Sequence, residues 1–233
     1  MNVLQALKKS TNFVEKFTNQ SQSESKIEAE HIFIRNGFST VNETKLNILE
    51  VGFGTGLNTL LTYQKAVQKS IKVNYHTIEL HPIDKRYYSK LNFTDLIGIE
   101  KDQLLKLHNC KWGQQIQLNS YFTLIKNHTS LEKYNTDIKF DIIYFDAFSP
   151  EKQPEIWSEE IFKKMYTFLK ESGFLITYCA KGMVKRTMKS VGFEIIVLDG
   201  YLKFDEYTNR ISFRAKSINT IENARTRFAT GIK

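Results

Sequence analysis

The 233-residue sequence predicts an α/β fold with a largely parallel sheet, and three observations carry that expectation. From Leu46 onward, short apolar runs alternate with stretches of helical spacing. The first run, Leu46 to Val51, ends on the glycine-rich turn Gly52-Phe53-Gly54-Thr55-Gly56. The second, Val73 to Ile78, ends on the acidic residue Glu79. Alternation of this kind puts parallel strands in the middle and helices on both faces.

Each element follows in order. Residues 1–40 are polar and weakly patterned, with one short element at His31-Ile32-Phe33-Ile34, and read as an N-terminal extension. After the glycine turn, Leu57, Leu60, Leu61, Ala66 and Val67 fall near helical spacing, which predicts a helix from Leu57 to Lys69. The segment from Ile83 to about Gln115 is helical in character without clear ends. Tyr121 to Ile125 and Phe140 to Phe145 are the third and fourth strands, the latter ending at Asp146. Ser158 is placed to cap a helix from Glu159 to Leu169, with Gly173 as its stop. A strand from Phe174 to Cys179, a helix from Lys181 to Val191 and strands at Phe193 to Leu198 and Arg210 to Ala215 complete the pattern. One domain spanning 41–216 and a basic tail at 217–233 account for the chain.

Composition narrows the function classes. Hydrophobic residues at 41% and charged residues at 25% indicate a folded soluble domain rather than a disordered chain. No apolar run approaches the ~18 residues of a membrane span, and the apolar stretch near Val3 to Leu7 is too short for a secretory signal. Cys110 and Cys179 form neither a disulfide framework nor a zinc pattern. These features predict a cytoplasmic protein. The five histidines lack metal-ligand spacing, so no metal site is expected. A net charge of +8 makes nucleic acid a candidate partner, although charge alone does not decide it.

The turn after the first strand is the strongest chemical signal. Glycines at 52, 54 and 56 let the backbone turn sharply and approach a ligand, and the following helix aims its N-terminal amides at the bound group. A phosphate-cradling P-loop needs Lys-Ser/Thr after its last glycine, where this chain has Leu57-Asn58. A dinucleotide fingerprint needs Gly or Ala where Leu57 stands. What remains is E-x-G-x-G-x-G from Glu50 to Gly56, which resembles motif I of class I S-adenosylmethionine-dependent methyltransferases. In that family the glycines pass the methionine part of the cofactor and the acidic residue helps hold its amino end. Glu79 lies 23 residues after Gly56, near the ~20-residue offset at which a carboxylate meets a ribose diol. A solvated strand-end glutamate is the plainer alternative.

Longer stretches make the resemblance specific. Phe53-Gly54-Thr55-Gly56-Leu57-Asn58, and Asp146-Ala147-Phe148-Ser149-Pro150 with Pro154 and Trp157, are similar to the MnmC/MnmD methyltransferase family. Gln153 stands where that family usually has Asn. Glu28 to Ile34, Gly173 to Thr177 and Val184-Lys185-Arg186 are also similar to family segments. The resemblance implies a Rossmann-like class I fold with a mostly parallel seven-stranded sheet and S-adenosyl-L-methionine as cofactor. It further implies methylation of the 5-aminomethyl group of a wobble (thio)uridine in the anticodon region of tRNA. The oxidase domain of bifunctional relatives has no counterpart in 233 residues, so the substrate is expected to arrive already as the aminomethyl form.

The residues implied at the cofactor are Glu50, Gly52, Phe53, Gly54, Thr55, Gly56, Asn58, Glu79, Asn127 and Asp146. Asn127 stands where the family has an Asp that meets the adenine amino group; an amide oxygen can accept the same bond less strongly. Asp146 is the candidate for taking a hydrogen bond or proton from the aminomethyl nitrogen. Phe148, Pro150, Trp157 and Lys203 are the candidate substrate contacts, the aromatic rings as stacking surface for a splayed base. For Trp157, a place in the core is an equal alternative. Lys152, Lys181, Lys185 and Arg186 are candidates for phosphate contacts. The family's closing G-F-G-x-K-R-E-M is reduced here to Gly200 to Glu206, with its Arg lost. Two other readings stay open, a methyltransferase acting on a different amine and a non-catalytic module of the same fold that binds RNA or protein; a third, an aminopropyltransferase, is opposed by the distinctive loop around Asp146.

Overall fold

Residues 19–198, 201–202, 209–210 and 213–217 are described by the computed structural model. Helix α1 (Asn19–Ala29) runs into a π-helical turn (Glu30–Arg35) and a 3-10 turn (Phe38–Thr40). Strand β1 (Lys45–Val51), helix α2 (Leu57–Lys69) and strand β2 (Lys72–Glu79) follow, then three short helices, α3 (Lys85–Tyr88), α4 (Phe93–Ile97) and α5 (Lys101–Asn109). Next come β3 (Gln115–Asn119), β4 (Phe122–His128), β5 (Phe140–Phe145), a 3-10 turn (Pro154–Trp157), α6 (Glu159–Phe168) and β6 (Leu169–Thr177). Helix α7 (Gly182–Val191) and β7 (Phe193–Val197) lead to the pair β8 (Tyr201–Leu202) and β9 (Asn209–Arg210), and then to β10 (Phe213–Ser217).

The main sheet has eight strands in the order β3-β4-β2-β1-β5-β6-β10-β7. Strands β4, β2, β1, β5 and β6 are parallel, so their carboxyl ends share one edge. The strand order reverses between β1 and β5, because β1 is followed by β2 on one side while β5 is followed by β6 on the other. Ligands of open α/β sheets bind in the crevice at such a switch point. All seven expected strands are present. The eighth is β3, which forms an antiparallel hairpin with β4 inside the region expected to be helical or loop.

Two cores follow from the strand pleat, which turns alternate residues to opposite faces. Leu46 and Ile48 of β1 join Leu60 and Leu61 of α2 on one face. Leu49 and Val51 join Phe162 and Met165 of α6 on the other. Each such side chain contributes roughly 1.5–3 kcal/mol by leaving water. The segment before β1 belongs to the first core: Ile32, Phe33, Ile34 and Phe38 are all buried there, with Phe33 against the ring of Tyr144. Two helix ends are fixed locally. The Ser158 hydroxyl accepts the Ile161 N–H at 3.4 Å, capping α6, and Ser70 closes α2 in the left-handed conformation at φ 53°.

Candidate functional site

The glycine turn lies at the switch point, between the ends of β1 and β5. Gly52 (φ 94°), Gly54 (φ 48°) and Gly56 (φ 75°) all take backbone conformations that side chains resist. Their surroundings differ. A Cβ on Gly52 would stand 2.7 Å from the Asp146 carbonyl oxygen, whereas one on Gly54 would meet nothing within 4 Å. The turn is therefore pressed against the β5 loop at Gly52 and opens into free space at Gly54. No side chain caps the start of α2, so its first-turn amides and the positive end of its dipole are available to a carboxylate.

Glu79 sits across the turn. Its Oε2 accepts the Gly54 N–H at 3.0 Å and its Oε1 accepts the His81 N–H at 2.7 Å. A carboxylate has about four lone-pair sites, so two remain for hydroxyl donors. Asn127 is near the end of β4, in register with Ile78, and its amide nitrogen donates to the Thr77 carbonyl at 3.1 Å. A carbonyl only accepts, so the bond orients the amide and turns Oδ1 away as an acceptor, the role expected for an adenine amino group. The open glycine cradle, the strand-end carboxylate and this acceptor fit S-adenosylmethionine, whose carboxylate the bare α2 terminus would hold.

Asp146 follows β5, its N–H donating to the Val51 carbonyl at 3.1 Å. Burial pushes its carboxyl up from the ordinary 3.8 to about 7; the hydrogen bond from Asn58 lowers it and the negative charge of Glu28 on α1 raises it further. The Asn58 amide donates to Asp146 Oδ2 at 2.8 Å. Glu50 is fully buried behind β1, where Thr59 donates to its Oε2 at 3.0 Å. Burial raises its carboxyl to about 8, with the hydroxyls of Thr77 and Thr59 opposing and the charge of Asp146 adding to the rise.

The loop after Asp146 is braced from several sides. Tyr178 donates its hydroxyl to the Ala147 carbonyl at 2.8 Å, and Trp157 donates its indole N–H to the Phe148 carbonyl at 2.7 Å. Lys181 pairs with Glu151. Held this way, the loop leaves the Phe148 ring 43% exposed beside the crevice.

Several expected contacts are corrected. Trp157 is 3% exposed and packs edge-on against Phe145 at 5.0 Å, so it offers no face to a substrate and acts through the loop it braces. Pro150 is likewise buried. The Phe53 ring turns away from the crevice into the first core, edge-on to His108 at 5.1 Å and Trp112 at 5.9 Å, leaving its backbone alone on the turn. Glu50 has no exposed surface through which to reach the amino end of a cofactor directly. Thr55 and Gly56 remain on the turn, and His108 Nε2 lies 3.1 Å from the Thr55 carbonyl, which makes that nitrogen the donor. Lys203 lies outside the described residues. Glu28, Thr59 and Tyr178 were missed as site-shaping residues. The one prior signal among them was Glu28, at the head of a family-like segment.

Comparison with known proteins agrees with this geometry. Residues 100–204 match the profile of a family described as S-adenosyl-L-methionine-dependent methyltransferase. The chain is 27% identical over 199 residues to the tRNA 5-methylaminomethyl-2-thiouridine biosynthesis bifunctional protein MnmC of Marinomonas sp., covering 78% of this chain and 29% of that protein. It is 28% identical over 188 residues to the MnmC protein of Leptospira interrogans, covering 75% and 29%. The chain thus spans about three-tenths of the length of these curated relatives. In fold it is similar to the crystal structure of MnmC2 from Aquifex aeolicus (TM-score 0.52, 17% identity, 85% of this chain and 62% of that one). It is also similar to an S-adenosylmethionine-dependent methyltransferase from Clostridium acetobutylicum (TM-score 0.51, 13% identity, 90% and 99%). Glycine turn, sheet order and sequence relatives converge: the chain carries an S-adenosyl-L-methionine-dependent methyltransferase domain, and its sequence is similar to that of the MnmC proteins.

Proposed function

We propose that this domain methylates the exocyclic amine of 5-aminomethyl-(2-thio)uridine at the wobble position of tRNA. The observation that carries the reading is Asp146, a carboxylate at the switch point whose burial brings its proton affinity to about 7. An alkylamine is protonated at neutral pH and attacks only after losing a proton. A base matched to neutrality and set beside the nucleophile removes it. S-adenosylmethionine, when bound on the glycine turn, supplies an electrophilic methyl group. The protein's part is to hold the amine in line, exclude water and take the proton on Asp146.

Two further features support the RNA substrate. Phe148 presents an exposed ring beside the crevice on a braced loop, as stacking recognition of a splayed base requires. The net charge of +8 favours a polyanionic partner. The names of the MnmC relatives point to the same tRNA nucleoside. Nucleoside mass analysis of tRNA from a strain lacking the protein tests the reading. Accumulation of the unmethylated aminomethyl nucleoside is the expected result, and an unchanged nucleoside profile refutes it. Transfer of label from S-adenosylmethionine to that tRNA by the purified protein separates an enzyme from a module that binds without turnover.

A further inference from the structure

We propose that Asn58 is a positioning residue for Asp146, aiming its carboxylate and setting the pH at which it ionises, rather than a contact to the cofactor. The inference deepens the reading of Asp146 given above and rests on it only for the kinetic consequence. Asn58 is the second residue of α2 and is 4% exposed. Its position is set from both sides. Gly56 swings the chain into the helix at φ 75°, and Thr62 donates its hydroxyl to the Asn58 carbonyl at 2.7 Å. From there the side-chain amide crosses 88 residues of sequence to donate to Asp146 Oδ2 at 2.8 Å.

The chemistry of the pair is directional. The amide NH₂ group can only donate, so it pairs with the ionised form of its partner and favours it. With Oδ2 occupied, Oδ1 is the oxygen left to meet an incoming amine. The other groups acting on Asp146 push the opposite way. Burial disfavours its charge, and Glu28, facing it from α1, adds like-charge repulsion. Glu50 lies near enough on β1 for the Asp146 charge to raise its own proton affinity. Without the Asn58 donor, the Glu28 charge and a dry environment would hold Asp146 protonated at neutral pH, and a protonated acid takes no proton from an amine.

The test reads Asp146 directly and needs no substrate. Protein labelled with carboxyl-¹³C aspartate is titrated by NMR as wild type, Asn58→Leu and the isosteric Asn58→Asp, with S-adenosylmethionine affinity measured alongside. The Asp146 midpoint is expected to rise by about one unit in Asn58→Leu and further in Asn58→Asp, where donor becomes acceptor. Cofactor affinity is expected to stay within about threefold of wild type. If Asn58→Leu does not fold, the isosteric variant carries the measurement. An unmoved Asp146 midpoint overturns the proposal, as does a tenfold or larger loss of cofactor affinity with the midpoint unchanged. In the kinetic arm, the acidic limb of kcat/KM moves up with the midpoint. Failure of tRNA to be methylated at all would count against the proposed substrate and leave the NMR result standing.

Discussion

Glu79 Oε2 accepts the N–H of Gly54 at 3.0 Å, so one carboxylate fastens the end of β2 to the turn that follows β1. The same group faces the open side of the cradle, where a Cβ on Gly54 would meet nothing. Glu79 therefore shapes the turn, and we propose that its remaining lone pairs accept from a ligand.

Glu79→Ala removes both. Hydrogen bonds to a charged acceptor contribute about 1.5–3 kcal/mol each, so S-adenosylmethionine affinity is expected to fall about a hundredfold. Isothermal titration checks it. Wild-type affinity in Glu79→Ala would take Glu79 out of the site.

The two glycines separate fold from function. Gly52→Ala sets a Cβ against the Asp146 carbonyl at 2.7 Å and at φ 94°, and is expected to cost roughly 2–3 kcal/mol of stability. Gly54→Ala meets no neighbour and costs about 1–2 kcal/mol for its left-handed backbone alone, yet it projects a methyl group into the cradle. Thermal melts should therefore rank Gly52→Ala below Gly54→Ala, while both lose cofactor binding. A Gly54→Ala protein that binds normally would show that the cradle opens elsewhere.

These residues were legible beforehand because their signals are local. Gly52 to Gly56 and Glu79 end apolar runs, and a strand end at the switch point is where ligands bind. The places where sequence fell short depend on distant packing. Gln115-Ile116-Gln117-Leu118-Asn119 is polar and half-exposed, and it becomes β3 only because β4 offers an edge to pair with. Glu50 looks like its neighbours in a ligand motif. However, β1 is covered on both faces, so the parity of the strand gives no exposed side, and Thr59 of α2 closes over the carboxyl. Ile32 and Phe33 lie in a polar stretch whose burial depends on the helices they meet.

Glu50 also predicts a pH dependence of stability. Its folded-state carboxyl is raised from 4.5 to about 8, so between those values the folded protein holds a proton that the unfolded chain has released. Stability then falls as pH rises through that window, by at most about 1.4 kcal/mol per pH unit for the one group. Asp146, raised from 3.8 to about 7, acts with the same sign at lower pH. Glu50→Gln keeps an oxygen to accept from Thr59 and has nothing to ionise. Denaturant unfolding between pH 5 and 8 should show a flatter decline in that variant, and a gain over wild type at pH 8. Parallel pH profiles for the two proteins would mean Glu50 ionises normally.

Trp157 and Phe148 divide the substrate side between them. The indole N–H holds the Phe148 carbonyl at 2.7 Å from within the core, whereas Phe148 itself is 43% exposed. Phe148→Ala removes a stacking face. It is expected to raise the KM for tRNA about ten- to a hundredfold, the usual worth of one stacked base, with cofactor affinity and melting temperature unchanged. Trp157→Phe keeps most of the ring and loses the donor. It removes the bond to the Phe148 carbonyl, at a cost of about 0.5–1.5 kcal/mol, and loosens the loop that carries both Phe148 and Asp146. That variant should lower the melting temperature and reduce kcat as well as raise KM, because the base moves with the loop. Steady-state kinetics on aminomethyl-bearing tRNA distinguish the two patterns. A Trp157→Phe protein that lost only tRNA affinity, at full stability, would return Trp157 to the substrate surface despite its burial.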